Sequence, residues 1–225
     1  MALWYPVFLF STTLHEFAHA YMAKRGGDDT AYEGGQVSLN PVPHLQREPF
    51  GMVVVPIVSF LLGGWMIGWA STPFDPAWAE RHPKRAAWMS LAGPIANLLL
   101  VVLAALAIRA GVAAEVFWAP SSITFSRVTA ATQPQLEVVA QVLSITFTLN
   151  LILFVLNLMP IPPLDGSGAM PLVLKGRALE HYNALRAQPA MALLGLIVLW
   201  NVFGYVFSPI HVAALNLLYP GMGYG

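Results

Sequence analysis

Four apolar stretches, each near the roughly 20 helical residues that cross a bilayer, constrain this 225-residue chain more than any other feature. They cover residues 3–22, 86–108, 138–159 and 191–207 with its continuation. A water-soluble globule needs a charged exterior to cover that much apolar chain. Here 57% of residues are hydrophobic and 10% charged, against a soluble norm of about 45–50% apolar and about 25% charged. The expected fold class is an all-α integral membrane protein, a polytopic helix bundle of about four to six spans solvated by lipid. The length suits a single domain over residues 1–225.

The first stretch does not read as a cleaved signal peptide. It lacks a basic leader and a clear small-residue cleavage site, and it carries His and Glu inside its apolar run, so it is expected to stay in the mature protein. Polar connections fill residues 24–50, 111–136 and 160–189, and no internal repeat or low-complexity tract interrupts the pattern.

A fifth apolar run, residues 51–70, is broken by Pro56 and Gly63-Gly64, which kink or end a helix. Charge arithmetic decides between its two readings. If it crosses fully, Lys24, Arg25, Arg47, Arg109 and Arg127 share one side and the other six cations share the opposite side, with no bias. If it dips and returns, Lys24, Arg25, Arg47, Arg81, Lys84, Arg85, Lys175, Arg177 and Arg186 share one side, leaving only Arg109 and Arg127 on the other. The second pattern obeys the positive-inside rule. Residues 51–70 are therefore expected to be re-entrant, in a cell-membrane protein with the Lys24 end in the cytoplasm and the N-terminus outside. The equal numbers of basic and acidic residues, 11 each, argue against a nucleic-acid partner, which would demand a basic stripe. With no cysteine in the chain, any metal must be held by His and carboxylate.

Within the first span lies His15-Glu16-Phe17-Ala18-His19. Two His one helical turn apart face the same way and can share a metal, with the Glu beside them in reach of a metal-bound water. Ionisable groups inside a span are costly and by default mark function; the bland alternative is a pair of interfacial His snorkelling near a helix end. His15 lies nine residues before Lys24, about 13 Å along the axis, which is inside the hydrocarbon layer. A catalytic zinc needs a third protein ligand. Most other acids lie in polar loops or at span ends, whereas Asp165 follows Pro160, Pro162 and Pro163. These prolines forbid regular helix and leave an unwound segment able to turn a carboxylate inward. An Asp before Gly is also a common turn pairing. The re-entrant topology puts Asp165 on the same side as His15 and His19. The remaining histidines, His44, His82, His181 and His211, lie in loops or near span ends, where solvation is expected.

Three segments together resemble the site-2 proteases, intramembrane zinc metalloproteases: the His15 to His19 motif in a span, Gly93-Pro94-Ile95-Ala96-Asn97 in a middle span, and Asn157 to Gly166 with its Leu164-Asp165-Gly166 end. Weaker likeness covers Gly35 to Pro41 and Pro56 with Gly63-Gly64, so the resemblance runs from about residue 10 to 175. It implies one zinc held by His15, His19 and Asp165, Glu16 as catalytic base, and Asn157 as a polar group beside the metal. Asn157 would then be a candidate donor to the oxyanion, although an Asn in a span also serves as glue between helices. Gly93, Pro94 and Asn97 read as close packing plus a buried hydrogen bond. The chain departs from versions of the family with a span before the H-E-x-x-H helix, and no appended PDZ or CBS domain is visible.

The implied substrate is a transmembrane segment, which must unwind before it can be cut. Gly35 to Leu39 is expected to form an edge strand of a short membrane-associated β hairpin, either pairing with that opened chain or serving as an ordinary interfacial hairpin. Two other functions use similar residues, namely a membrane zinc transporter or sensor and a catalytically silent protein that binds transmembrane segments. Glu16 argues against both. Residues 208–225 either finish the last span or lie along the surface.

Overall fold

The computed structural model describes residues 1–225. The chain runs α1 (Trp4–Gly26), α2 (Thr30–Glu33), α3 (Pro41–Arg47), a π turn (Phe50–Val54) continuing into α4 (Val55–Gly63), α5 (Pro76–Arg81) and α6 (Pro83–Ala113). Beyond these come β1 (Phe117–Trp118), β2 (Ala130–Ala131), α7 (Glu137–Leu158), α8 (Asp165–Gly168), α9 (Gly176–Arg186) and α10 (Pro189–Leu218). The elements stop where local chemistry requires. Gly27, at φ 94°, closes α1, with its N–H donating to the Lys24 carbonyl and that of Asp28 to the Ala23 carbonyl, the Schellman arrangement. Asn40 caps α3 by accepting from the Val42 N–H. Pro160 forces Met159 out of the helical region, ending α7, and Met159 sits at ψ 134°.

Three helices are long and apolar enough to cross a membrane, Pro83–Ala113, Pro134–Leu158 and Pro189–Leu218. These contain the expected spans 86–108, 191–207 and nearly all of 138–159. Helix α1 spans 23 residues but is not among the three, because Ser11, Thr12, Thr13, His15, Glu16 and His19 dilute its apolar character. All six are buried. Polarity is thus inverted relative to a water-soluble protein. Ser144, Thr148, Asn150 and Asn97 are buried, while Leu99, Val102, Leu103 and Leu106 face outward, as expected when lipid is the solvent.

Helix α6 is central and packs on both α1 and α7. One apolar cluster, including Ile108, Phe147, Leu151 and Phe207, joins α6, α7 and α10; another, including Trp4, Phe8, Met66 and Leu149, joins α1 to α7 and the loop after α4. Of the three long apolar helices, α10 is the least buried. Only 11% of its apolar window is buried, and Trp200 and Tyr205 are 86% and 83% exposed.

Residues 51–70 go out and come back. Helix α3 and the Phe50–Gly63 helix meet at 111°, Gly64 at φ 74° ends the latter, and an irregular strand returns alongside it. The Ile67 N–H donates to Ser59 Oγ at 3.0 Å and the Trp69 N–H to the Gly51 carbonyl at 3.2 Å. Entry and exit therefore lie side by side, the shape of a re-entrant segment.

The expected edge strand at Gly35 to Leu39 is absent, since these residues form turns and bends. Gln36 is buried, with its side-chain amide directed at the Ser71 carbonyl, and His44 holds the Ser38 carbonyl. These side-chain ties fold the segment against its neighbours and leave no partner for a ladder. The short hairpin instead joins β1 to β2, antiparallel, pairing Phe117 with Ala131 and Trp118 with Ala130. His44, expected to be solvated, is buried.

Candidate metal centre

The candidate centre forms where α1, α6 and the segment after α7 converge. On α1, the four-residue spacing turns His15 and His19 to one face, their Nε2 atoms 3.0 Å apart. Asp165 Oδ2 stands 3.0 Å from His15 Nε2 and 3.2 Å from His19 Nε2. Ligands at about 2.0–2.2 Å from a tetrahedral zinc are about 3.3 Å from one another, close to the edges of this triangle. Glu16 offers a carboxylate oxygen within 4.8 Å of donor nitrogens of both histidines.

Hydrogen bonding on the far side of each ring fixes what the triangle can hold. His19 Nδ1 is 2.7 Å from the Met89 carbonyl, which only accepts, so Nδ1 carries the proton. For His15 the same conclusion comes through a longer chain. Asn150 Nδ2 donates to the Thr146 carbonyl and to Ser11 Oγ, leaving Asn150 Oδ1 to accept from Asn97 Nδ2 at 2.8 Å. Asn97 then presents Oδ1 to His15 Nδ1 at 2.6 Å. In the neutral rings both Nε2 atoms are therefore bare lone pairs, aimed at each other and at a carboxylate oxygen that is buried without a hydrogen-bond partner. One added proton leaves at least one of the three pairs unrelieved, whereas a cation among them relieves all three. Two imidazoles and a carboxylate, with backbone carbonyl and amide behind the rings, suit zinc in donor type and outer support.

Glycines allow the approach. A Cβ on Gly93 of α6 would collide with the Nε2 atoms of both histidines, and one on Gly166 would strike the Leu158 and Met159 carbonyls. The first lets α6 close over the His pair. The second lets the Asp165 turn fold back on the end of α7.

Glu16 is held by a residue without a sequence signal. Thr72, on the return from the re-entrant segment, directs its hydroxyl to Glu16 Oε2 at 2.7 Å and to the Glu16 carbonyl at 3.0 Å. Just before it, Ser71 binds Glu48 and accepts from Arg47 Nε at 3.3 Å. The re-entrant segment thus ends against the candidate base. Asn157 lies on the last turn of α7, half-buried, with no side-chain hydrogen bond to His15, His19 or Asp165. Asn97, read from the sequence as packing plus a buried hydrogen bond, has that role, and its partner is a histidine of the cluster. Asn150, a lone amide within an apolar run, was the readable signal that sequence reasoning passed over. His181 is exposed and His211 stacks on Phe207 in α10 at 5.3 Å.

The model of peptidase family M50 matches residues 5–202. "Putative zinc metalloprotease YwhC" of Bacillus subtilis is 34% identical over 157 residues, covering 69% of this chain and 62% of that protein. "Putative zinc metalloprotease Rip2" of Mycolicibacterium smegmatis is 34% identical over 164 residues, 72% of this chain and 53% of that protein. The protein of the same name from Mycobacterium tuberculosis strain H37Rv is 32% identical over 206 residues, 90% and 69% of the two chains. The chain therefore spans between about half and two thirds of the first of these relatives. No solved structure matches it. The cofactor of these relatives, by their names, is zinc, and a buried His-Glu-His cluster stands ready for a metal here. With a family match across most of its length and relatives above 30% identity, the chain belongs to peptidase family M50, the site-2 protease family.

Proposed function

We propose that this protein is an intramembrane zinc endopeptidase that hydrolyses peptide bonds in or near transmembrane segments of other membrane proteins. The observation that carries this reading is the triangle of His15, His19 and Asp165 donor atoms with the Glu16 carboxylate beside it, inside a bundle whose outer face is apolar. In this reading His15, His19 and Asp165 hold one zinc. Zinc so bound supplies Lewis acidity toward a peptide carbonyl and acidifies water.

The chain's own residues do the rest. Glu16, aimed by the Thr72 hydroxyl, takes a proton from the attacking water and delivers it to the departing amide nitrogen. Water adds its oxygen to the carbonyl carbon, the C–N bond breaks, and acid and amine leave. In this reading Asn157, whose side-chain amide makes no hydrogen bond at the end of α7, donates to the developing oxyanion, a contribution of about 3 kcal/mol where such donors have been removed. Burial of His15, Glu16 and His19 lowers the local dielectric and strengthens these interactions. Under the re-entrant topology nine cations share the Lys24 side against Arg109 and Arg127 on the other, which supports a cell-membrane protein with its active site toward the cytoplasm.

Glu16→Gln tests the assignment. In vesicles containing a model transmembrane substrate, cleavage should fall below detection while bound zinc stays at the wild-type level. Cleavage that survives the substitution would remove Glu16 from the chemistry, and zinc-loaded wild type that cleaves nothing would favour a metal carrier or sensor.

A further inference from the structure

The three candidate ligands are held by different means. His15 and His19 are fixed through their own Nδ1 atoms. No hydrogen bond from outside the His pair holds the Asp165 carboxylate, so its place depends on the backbone that carries it. That backbone is one tight turn, in which the Ser167 N–H donates to the Leu164 carbonyl at 3.0 Å and the Ala169 N–H to the Asp165 carbonyl at 3.1 Å. Such a turn has little stiffness of its own, and it follows a segment that three prolines keep from being helical.

Helix α9 adds hydrogen bonds to the packing of this turn on α6 and on the end of α7. Arg186 Nη1 donates to the Ser167 carbonyl at 2.9 Å. The Tyr182 hydroxyl lies 3.3 Å from the same carbonyl and 3.3 Å from the carbonyl of Pro160. Tyr182 thereby shares its one hydroxyl proton between the start of the unwound segment and the chain just after Asp165. The two side chains are four residues apart and so share one face of α9. The cationic donor makes the stronger bond. Helix α9 buries no residue of its own, so it is not part of the apolar core, and beside its packing on α10 these are its hydrogen bonds to the Asp165 turn.

We propose that Tyr182 and Arg186 are positioning residues for Asp165, and that α9 is an external clasp fixing the third ligand of the metal centre. This rests on the reading of Asp165 as a zinc ligand. A metal site tolerates displacements of only about 0.5 Å, and a short aspartate side chain passes a backbone shift directly to its oxygens. The clasp therefore governs metal affinity without touching the metal.

The test uses the full chain in detergent, comparing wild type, Tyr182→Phe, Arg186→Gln, the double variant and Arg186→Lys, with Asp165→Asn as the reference for ligand loss. Zinc affinity is read by competition with a chelator, and amide exchange at Ser167 and Ala169 is read in metal-free protein. The double variant should bind zinc about tenfold more weakly or worse, within the range seen when partners of metal ligands are removed. The two amides should exchange faster, and the metal-free unfolding midpoint should stay at the wild-type value. Arg186→Lys, which keeps a cationic donor, should recover part of the affinity. Unchanged affinity in the double variant, with Asp165→Asn losing zinc, would overturn the clasp alone. Faster exchange across the whole chain with a lowered midpoint would make α9 a general structural element and would also overturn it. Retention of zinc by Asp165→Asn would remove the ligand itself and the clasp with it.

Discussion

The proposed metal centre has two halves built on opposite principles. His15, Glu16 and His19 ride on an uninterrupted helix whose periodicity alone brings the imidazoles together, with rings braced by Met89 and by the Asn97–Asn150–Ser11 chain. Asp165 sits where helical order has been deliberately ended, and it is held by backbone folding and by donors from α9. A helix sets a fixed spacing but cannot reach across the bundle. An unwound segment can deliver a carboxylate from a third direction, at the cost of needing external support.

The largest effect expected from breaking the helical half comes from Gly93→Ala. The added methyl meets both Nε2 atoms, so zinc affinity should drop by about a hundredfold or more, at the upper end of the range for disturbed metal surroundings, with helical circular dichroism retained. Wild-type affinity in that variant would show that α6 is not pressed against the His pair. In the other half, Gly166→Ala should also weaken zinc, by about tenfold to a hundredfold, because the turn must lift from the Leu158 and Met159 carbonyls. An effect confined to turnover, with zinc unaltered, would separate that turn from the metal.

Replacing Asn97 with Leu leaves the His15 Nδ1–H without its acceptor and should cost about tenfold to a hundredfold in zinc affinity. Asn150→Leu, one step further along the chain, should cost less. The reverse order would mean that Asn150 acts by a route other than Asn97. The smallest effect on the metal belongs to Thr72→Val, which removes the hydroxyl aimed at Glu16. Zinc content should be unchanged while turnover falls by about tenfold, the scale of a general base losing its orientation.

The two halves also differed in how far the sequence revealed them. The His15-to-His19 spacing, three of the four expected long apolar helices and the proline-induced end of α7 follow from local rules and are found in the structure, while residues 3–22 form a helix too polar to count among them. The re-entrant expectation for residues 51–70 comes only from adding the positions of lysines and arginines across the whole chain, because Pro56 and the glycines alone fit either a kinked span or a returning one. Failures came where a residue's role depends on a partner distant in sequence. Gly35 to Leu39 carries a β-compatible pattern, but Gln36 and His44 tie it down through Ser71 and Ser38. Nothing around Thr72 announces that its hydroxyl meets Glu16, 56 residues earlier. Asn150 is different, since a lone amide in an apolar run is costly unless paired and could have been flagged by that rule, whereas Asn157 came only from the family resemblance.

Zinc content of detergent-purified wild-type protein set beside Asp165→Asn probes the joining of the two halves most directly. With three protein ligands completing the centre, wild type should carry about one zinc per chain and the variant far less. Equal zinc in both proteins, or none in wild type after zinc is supplied, would contradict a centre shared between α1 and the segment after α7.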